Sequence, residues 1–337
     1  MKPQQRDTFH NQKFFYSNTF IIELSAIQYL YLPTIFQGYY LMIDAALFIT
    51  HTWSKSIFTR YLDLRKSTLG YLDVYVLVDA SNPRVLSRWR KNLTDAGCSE
   101  NFRIFTPSQL ENNLGYLCMR PGLLIPGSCH YPIINFWLSN KYNYYWVIEY
   151  DIFLKIDWLL FFSYFNNSSA DLICSHLTTK NSDPNWLWWP SLKSPEVLLE
   201  SSKIDDSLKL KGFFPIYRAS KTALGVFHNA HLKGWMGHCE ALLPTIAQEN
   251  DLIVEDFNHW GNFYEEGNLG PNDGDPPYSS LRWRPEIKKR EIIKSKNTII
   301  FHPVKNYTSQ ILLNDFKRFL IYFSRISWLK KMGDILK

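Results

Sequence analysis

From residue 45 to residue 151 the chain repeats one unit: a short run of strand formers that closes on polar residues, then an amphipathic stretch with a helix start and stop. "AALFITHTW" closes on Thr50, His51 and Thr52, and "SKSIFTRYLDLRKS" follows as a helix that Ser54 can cap. "YLDVYVLVDAS" ends at Asp79, and "NPRVLSRWRKNLTDAG" follows, with Pro83 near its first turn and Gly97 near its stop. "NFRIFTPSQL" holds a third strand, and the helical "PIINFWLSNK" feeds the apolar "YYWVIEYDIF". Alternation of this kind predicts an α/β domain with a mostly parallel sheet and helices on its faces.

The pattern continues beyond Asp151. "WLLFFSYF" reads as helix, "ADLICSHL" as strand, "DPNWLWWPSL" as a Trp-rich loop, "GFFPIYRAS" as strand and "KTALGVFHNAHLKG" as helix. "WMGHCEALLPTIAQEN" is a loop entering a helix, and "LIVEDF" and "TIIFHPVK" are strands. Residues 265–277, dense in Gly, Pro and acids, predict an exposed loop able to close over a site.

A hydrophobic content of 46% with 20% charge in 337 residues excludes a disordered chain and allows a large core. The five cysteines form no C-x-x-C pair, which excludes a zinc ribbon and a disulfide framework and points to a reducing compartment. Net charge is +6, but residues 282–296 alone hold seven basic and two acidic side chains, which suits an anionic partner or a solvated surface. Residues 20–43 are apolar yet interrupted by Glu23 and Pro33. A spanning helix needs roughly 20 uninterrupted apolar residues, so the stretch reads as buried or partner-facing. At the other end, Ile311, Leu312, Phe316, Phe319, Leu320 and Phe323 stagger with Lys317, Arg318 and Arg325 as a basic amphipathic helix. It can pack on the domain or lie in an anionic membrane interface. The expected organisation is an extension over 1–44, a catalytic-type domain over 45–305 and this helix over 306–337. No nucleic-acid motif is recognised, and no nucleic-acid partner is expected.

Ligands of open parallel sheets bind outside the carboxyl ends of the strands. Glu149 and Asp151 stand at such an end, on the same side of their strand. Two like charges so close raise each other's pKa unless a cation lies between them. Mg²⁺ or Mn²⁺ would relieve the repulsion and could meet substrate phosphates as well. Otherwise Asp151 caps the following helix and Glu149 pairs with a surface base. His302, closing "IIFH", is either a third ligand or a structural histidine. Lys305 can meet a diphosphate, and Arg218 either steers a phosphate or makes an ordinary ion pair. Glu240 suits a helix start through the dipole alone, or serves as a general base with His238 beside it. Its H-x-E spelling lacks the P-C-x-x-C partner of zinc deaminases. Trp186, Trp188 and Trp189 either stack on a sugar face or pack within the fold.

The order of these parts over residues 45–305 resembles the GT-A class of nucleotide-sugar glycosyltransferases, including members with a W-x-x-E-x-D strand, here "WVIEYD". The resemblance implies a Rossmann-like mixed, mostly parallel sheet with helices on both faces. By the same resemblance Asp151 is the metal ligand, with Glu149 its neighbour in place of the usual first Asp. His302 in "FHPVK" joins the same Mn²⁺ or Mg²⁺, and Glu240 is the base of an inverting transfer. Thr50, His51 and Asp79 correspond to the region that receives the nucleoside, and Lys305 and Arg218 to cations near the departing diphosphate. The implied partners are a nucleoside-diphosphate sugar and a glycan or lipid-linked acceptor. The expected location is cytoplasmic, peripheral on the inner membrane face through the C-terminal helix. Two rival readings are a non-catalytic carbohydrate-binding protein on a degenerate transferase fold and a metal-dependent phosphoester hydrolase.

Overall fold

A computed structural model describes residues 44–116, 124, 127–195, 205–267, 279–295 and 297–305. Its first half follows the alternation of the sequence: β1 (Ala45–Thr50), α1 (Lys55–Ser67), β2 (Asp73–Asp79), α2 (Pro83–Asp95), β3 (Phe102–Phe105), α3 (Pro107–Leu114), α4 (Tyr131–Leu138) and β4 (Tyr144–Glu149). The second half holds β5 (Phe153–Leu154), α5 (Trp158–Ser163), β6 (Leu172–Thr179), β7 (Leu210–Ser220), α6 (Lys221–Leu232), α7 (Cys239–Glu249), β8 (Val254–Asp256), α8 (Lys289–Lys294) and β9 (Ile300–Phe301). Side-chain caps start the helices where the sequence signals them. Ser54 accepts from the Ile57 amide, Asn82 from Arg84 and Val85, Thr106 from Gln109, and Asp157 from Leu159 and Leu160.

Seven strands form one sheet in the order β3-β2-β1-β4-β7-β6-β8. β1, β2, β3 and β4 pair in parallel, as do β6 and β8, whereas β7 runs antiparallel to both β4 and β6. The result is the mixed, mostly parallel α/β sheet with helices on both faces that the sequence predicts. Alternate residues of each strand enter different cores. Ala45, Leu47, Tyr145 and Val147 pack with α3, α4, α6 and α7. Ala46, Phe48, Trp146 and Ile148 pack with α1, α2 and α5. Both parities of these strands are therefore apolar, as sheets covered on two faces require. A fully buried aromatic such as Trp89 or Phe161 contributes roughly 2–3 kcal/mol of transfer free energy.

Strand direction positions the site. β1, β2 and β4 all finish at one edge of the sheet, at Thr50, Asp79 and Glu149. β7 runs the other way, so its start lies at that edge, where Lys211 pairs with Thr178. Its finish lies at the opposite edge, where Arg218 pairs with Trp146 and Ile173. Residues 298–305 read from the sequence as a last strand, but only Ile300 and Phe301 form one, and they leave the main sheet to pair with β5.

No helix among the described residues is long and apolar enough to cross a membrane. The N-terminal extension apart from Asp44, the C-terminal amphipathic helix and residues 268–277 of the expected lid lie outside the described residues. Glu265, where that loop begins, is tied down: its Oε1 accepts from the Thr298 hydroxyl at 2.6 Å and from Ser295.

Candidate functional site

The register of the β5–β9 ribbon brings the two halves of the acidic site together. Phe153 pairs with Phe301 and Leu154 with Ile300, which sets the residues just before β5 against those just after β9. The Val304 amide then donates to the Asp151 carbonyl at 2.8 Å. On the other side His302 is fixed by backbone bonds, its amide to the Ser280 carbonyl at 2.8 Å and its carbonyl from the Arg282 amide at 3.0 Å.

Glu149, Asp151 and His302 meet here, each offering one ligand atom within 4.8 Å of the others. His302 Nε2 lies 3.3 Å from Glu149 Oε2 and 3.2 Å from Asp151 Oδ1. Its other nitrogen, Nδ1, donates to the Arg282 carbonyl at 2.9 Å. That bond orients the ring and leaves Nε2 for whatever the carboxylates face. Asp151 and His302 are buried, and Glu149, with 36% of its side chain exposed, opens the cluster to solvent. Asp151 Oδ1 is buried with no hydrogen-bond partner, despite the nearby imidazole.

Charge follows the geometry. Burial alone would raise the Asp151 pKa, but the charge and close approach of His302, then Lys305 and His51, hold it far below the usual carboxylate range. Burial would lower His302, but Asp151 and then Glu149 push it up to about 9. Lys305 Nζ stands 3.7 Å from Asp151 Oδ2. Two oxygens and one imidazole nitrogen, with an orphaned buried oxygen among them, fit a hard divalent cation of the Mg²⁺ or Mn²⁺ kind.

Glu240, at the start of α7, lies within the electrostatic reach of the same cluster. His238 caps this helix, its Nδ1 accepting from the Glu240 amide at 3.4 Å. Burial holds His238 down at about 3, so the imidazole is neutral, and its 3.6 Å approach to Glu240 is not an ion pair. Pro244, one turn on, cannot donate to the Glu240 carbonyl. Burial, followed by the charge of Glu149, pushes the Glu240 carboxyl up to about 8, against the pull of Lys211 and His302. The loop before α4 backs this helix start. The Cys239 amide donates to the Gly127 carbonyl at 2.9 Å, and a Cβ at Gly127, where φ is +83°, would lie 2.5 Å from the His238 ring. Cys129 and Cys239 place their sulfurs 3.4 Å apart in the same layer.

The tryptophan loop folds against this helix start. Trp188 stacks on His238 with ring centroids 4.6 Å apart. Trp186 sits edge-on to Trp189 and carries Lys211 over its face at 5.1 Å. Trp189 is buried and donates its Nε1 proton to the Asp183 carbonyl at 2.7 Å, so of the three it is plainly a packing residue. Lys211, buried and ion-paired to Asp183, is a cation of this site that sequence reasoning missed.

Thr50, His51 and Asp79 stand at the same sheet edge. Thr50 closes a local turn, donating to the Thr52 carbonyl at 2.8 Å and accepting from its amide. Asp79 accepts from the Ser81 amide at 2.9 Å. The His51 ring meets Tyr150 edge-on at 5.0 Å, and its charge acts on Asp151.

Arg218 corrects the sequence reading. It lies at the far end of the sheet, buried, with its guanidinium donating to the carbonyls of Phe165, Ser168 and Ala170 and stacked over Tyr144 at 4.2 Å. The antiparallel course of β7 carries it away from the carboxyl edge, and its bonds serve the turn after α5.

No protein-family model matches the chain, and no curated protein matches it. Among solved structures it is similar to glucosyl-3-phosphoglycerate synthase from Mycobacterium tuberculosis, with 13% identity over 74% of this chain and 76% of that one and a TM-score of 0.37. It is also similar to a putative glucose-1-phosphate thymidylyltransferase from Bacillus anthracis, with 11% identity over 64% and 85% and a TM-score of 0.37. The inositol-1-phosphate CTP transferase from T. maritima matches with 11% identity over 64% and 85%, at a TM-score of 0.35. Likenesses this distant say nothing of what the chain binds or does.

Proposed function

We propose that the chain transfers a sugar from a nucleoside-diphosphate sugar to a hydroxyl of a glycan or lipid-linked acceptor, with inversion, and depends on a divalent metal. One observation carries this reading: a carboxylate–carboxylate–imidazole cluster at the carboxyl edge of a mostly parallel sheet, with the Glu240 carboxyl in its electrostatic field. Asp151, His302 and Glu149 would hold Mn²⁺ or Mg²⁺. When bound, the ion supplies charge stabilisation to a departing diphosphate.

The chain's own residues supply the rest. Lys305 adds a positive charge beside Asp151, suited to a phosphate oxygen. Glu240 takes the proton of the acceptor hydroxyl at its carboxylate. Its shielding from water and the nearby Glu149 raise its proton affinity, which makes it a stronger base once ionised. Trp186 and Trp188 offer ring surfaces next to that base, where an acceptor sugar can lie. Thr50, His51 and Asp79 line the edge on which a nucleoside would rest.

The test is thermal unfolding of the full chain with a panel of nucleoside-diphosphate sugars plus Mn²⁺, beside simple phosphoesters plus Mn²⁺. A shift with one donor that needs both donor and metal supports the reading. Absence of any donor effect in folded, metal-supplied protein overturns it, and protection by phosphoesters instead favours a hydrolase.

A further inference from the structure

Arg60, on α1, bridges the two segments that carry the acidic cluster. Its Nη1 donates to the Tyr150 carbonyl at 3.2 Å and to the Val304 carbonyl at 2.8 Å. Tyr150 lies between Glu149 and Asp151, and Val304 lies between His302 and Lys305. One nitrogen with two hydrogens thus spans two loops that are far apart in the sequence. The charge of Asp151 acts on the same guanidinium, so it lies within the electrostatic reach of the cluster.

The backbone tie between these loops is a short ribbon and the bonds that flank it. The β5–β9 ribbon pairs two residues on each strand, and a lone two-stranded ribbon is marginal even when longer. Backbone bonds from the Lys155 amide to the Ile299 carbonyl at 2.9 Å and from the Val304 amide to the Asp151 carbonyl at 2.8 Å extend it, and the Phe153 and Phe301 rings meet across it. A guanidinium bonded to both carbonyls adds charge-assisted bonds, each stronger than a neutral one. It also holds those two carbonyls to one point. Lysine, whose ammonium is a more strongly hydrated point charge without the planar guanidinium, would reproduce the bridge only in part.

We infer that Arg60 is a positioning residue for the proposed metal site: its bridge between the Tyr150 and Val304 carbonyls fixes the spacing between the Glu149–Asp151 segment and His302. The inference rests on the metal reading of the preceding section. Arg60 touches none of the ligand atoms, so removing it leaves the donor set intact and changes only how well that set is held.

The test is Mn²⁺ binding to the full chain, followed by the electron paramagnetic resonance signal of free Mn²⁺, with folding checked by circular dichroism at the same temperature. Arg60→Met is compared with Arg60→Lys, Asp151→Asn and Arg65→Met, the last on the same helix but paired with Glu100. Arg60→Met should weaken Mn²⁺ binding about tenfold or more, as loss of ligand-orienting contacts does elsewhere. Arg60→Lys should recover part of that loss, Arg65→Met should match wild type, and Asp151→Asn should abolish binding. A purely structural role would lower the melting temperature of Arg60→Met yet leave its Mn²⁺ affinity within twofold of wild type, and that result overturns the inference. If Arg60→Met does not fold, Arg60→Lys decides by the same criterion. Wild-type protein that takes up no Mn²⁺ defeats the metal reading and this role together. Wild type and Arg60→Met binding equally well defeats this role alone.

Discussion

The Arg282 carbonyl accepts the Nδ1 proton of His302 at 2.9 Å, and that bond leaves Nε2 as the nitrogen facing Glu149 and Asp151. A proton or a metal ion can hold Nε2, but not both. With His302 pushed up to about 9, the proton has it at neutral pH. Mn²⁺ uptake should therefore release about one proton per ion. Calorimetry at pH 7.5 in two buffers of different ionisation enthalpy measures the number. A release near zero would mean that His302 stays outside the metal's coordination.

Glu240 should govern turnover. Its carboxyl, pushed up to about 8, must lose its proton to act as a base, so kcat/KM should rise with pH and level off above about 8. Glu240→Gln should lower kcat by about 10²- to 10⁴-fold and leave donor binding intact. A profile that is flat from pH 6 to 9, or a Gln variant with near-normal kcat, removes Glu240 from the chemistry.

Arg218→Met should damage stability and leave the site alone. The substitution strips the buried Phe165, Ser168 and Ala170 carbonyls of their donor, at a cost of about 3 kcal/mol or more. Urea unfolding reads the loss, and Mn²⁺ affinity of the folded fraction should match wild type. Weakened Mn²⁺ binding with unchanged stability would contradict the placement.

The antiparallel course of β7 also shows what the sequence could and could not tell. Strand ends at Thr50, Asp79 and Glu149, and helix starts at Ser54 and Asn82, were legible because polarity and capping residues mark them locally. So was the meeting of Asp151 and His302, since both close apolar runs. Direction is not marked. "LKGFFPIYRAS" is apolar on both faces and reads alike either way, so Arg218 at its finish looked like a residue of the site. Reversal exchanges the ends and brings Lys211, at the other end of β7, to the carboxyl edge. The β5–β9 ribbon and the bridge of Arg60 are likewise invisible, because two-residue strands and a half-exposed helix arginine leave no periodic trace.

Mild acid should loosen the Glu240→Gln variant more than the wild type. Burial holds His231 at about 4 and His176 and His238 at about 3, whereas unfolded imidazoles take a proton near 6.5. Below 6.5 the unfolded chain binds more protons, so the stability these groups contribute, complete above that pH, is lost as pH falls toward 4. Glu240 and His302 oppose them, since the fold keeps the Glu240 proton up to about 8 and the His302 proton up to about 9, against about 4.5 and 6.5 in the unfolded chain. Removing the Glu240 carboxyl leaves the histidines less opposed, so the urea midpoint of Glu240→Gln should fall further than that of the wild type between pH 7.5 and 5.5. Equal falls in the two proteins would mean that the fold does not hold the Glu240 proton.

Gly127→Ala should strain the helix start that carries Glu240. A side chain there meets the His238 ring and sits at φ +83°, which costs on the order of 1–3 kcal/mol for the backbone alone. We expect a lower melting temperature together with reduced kcat. Unchanged values for both would show that the loop and α7 yield without consequence.

The ribbon that joins β5 to β9 sets an order of events. Asp151 lies near the middle of the chain, whereas His302 follows every other element described here. On the ribosome, which releases the N-terminal part first, the strands from β1 to β8 can pair while the proposed cation site still lacks His302. A chain stopped before residue 302 would thus lack the proposed site, and ion capture would report that synthesis had passed that residue.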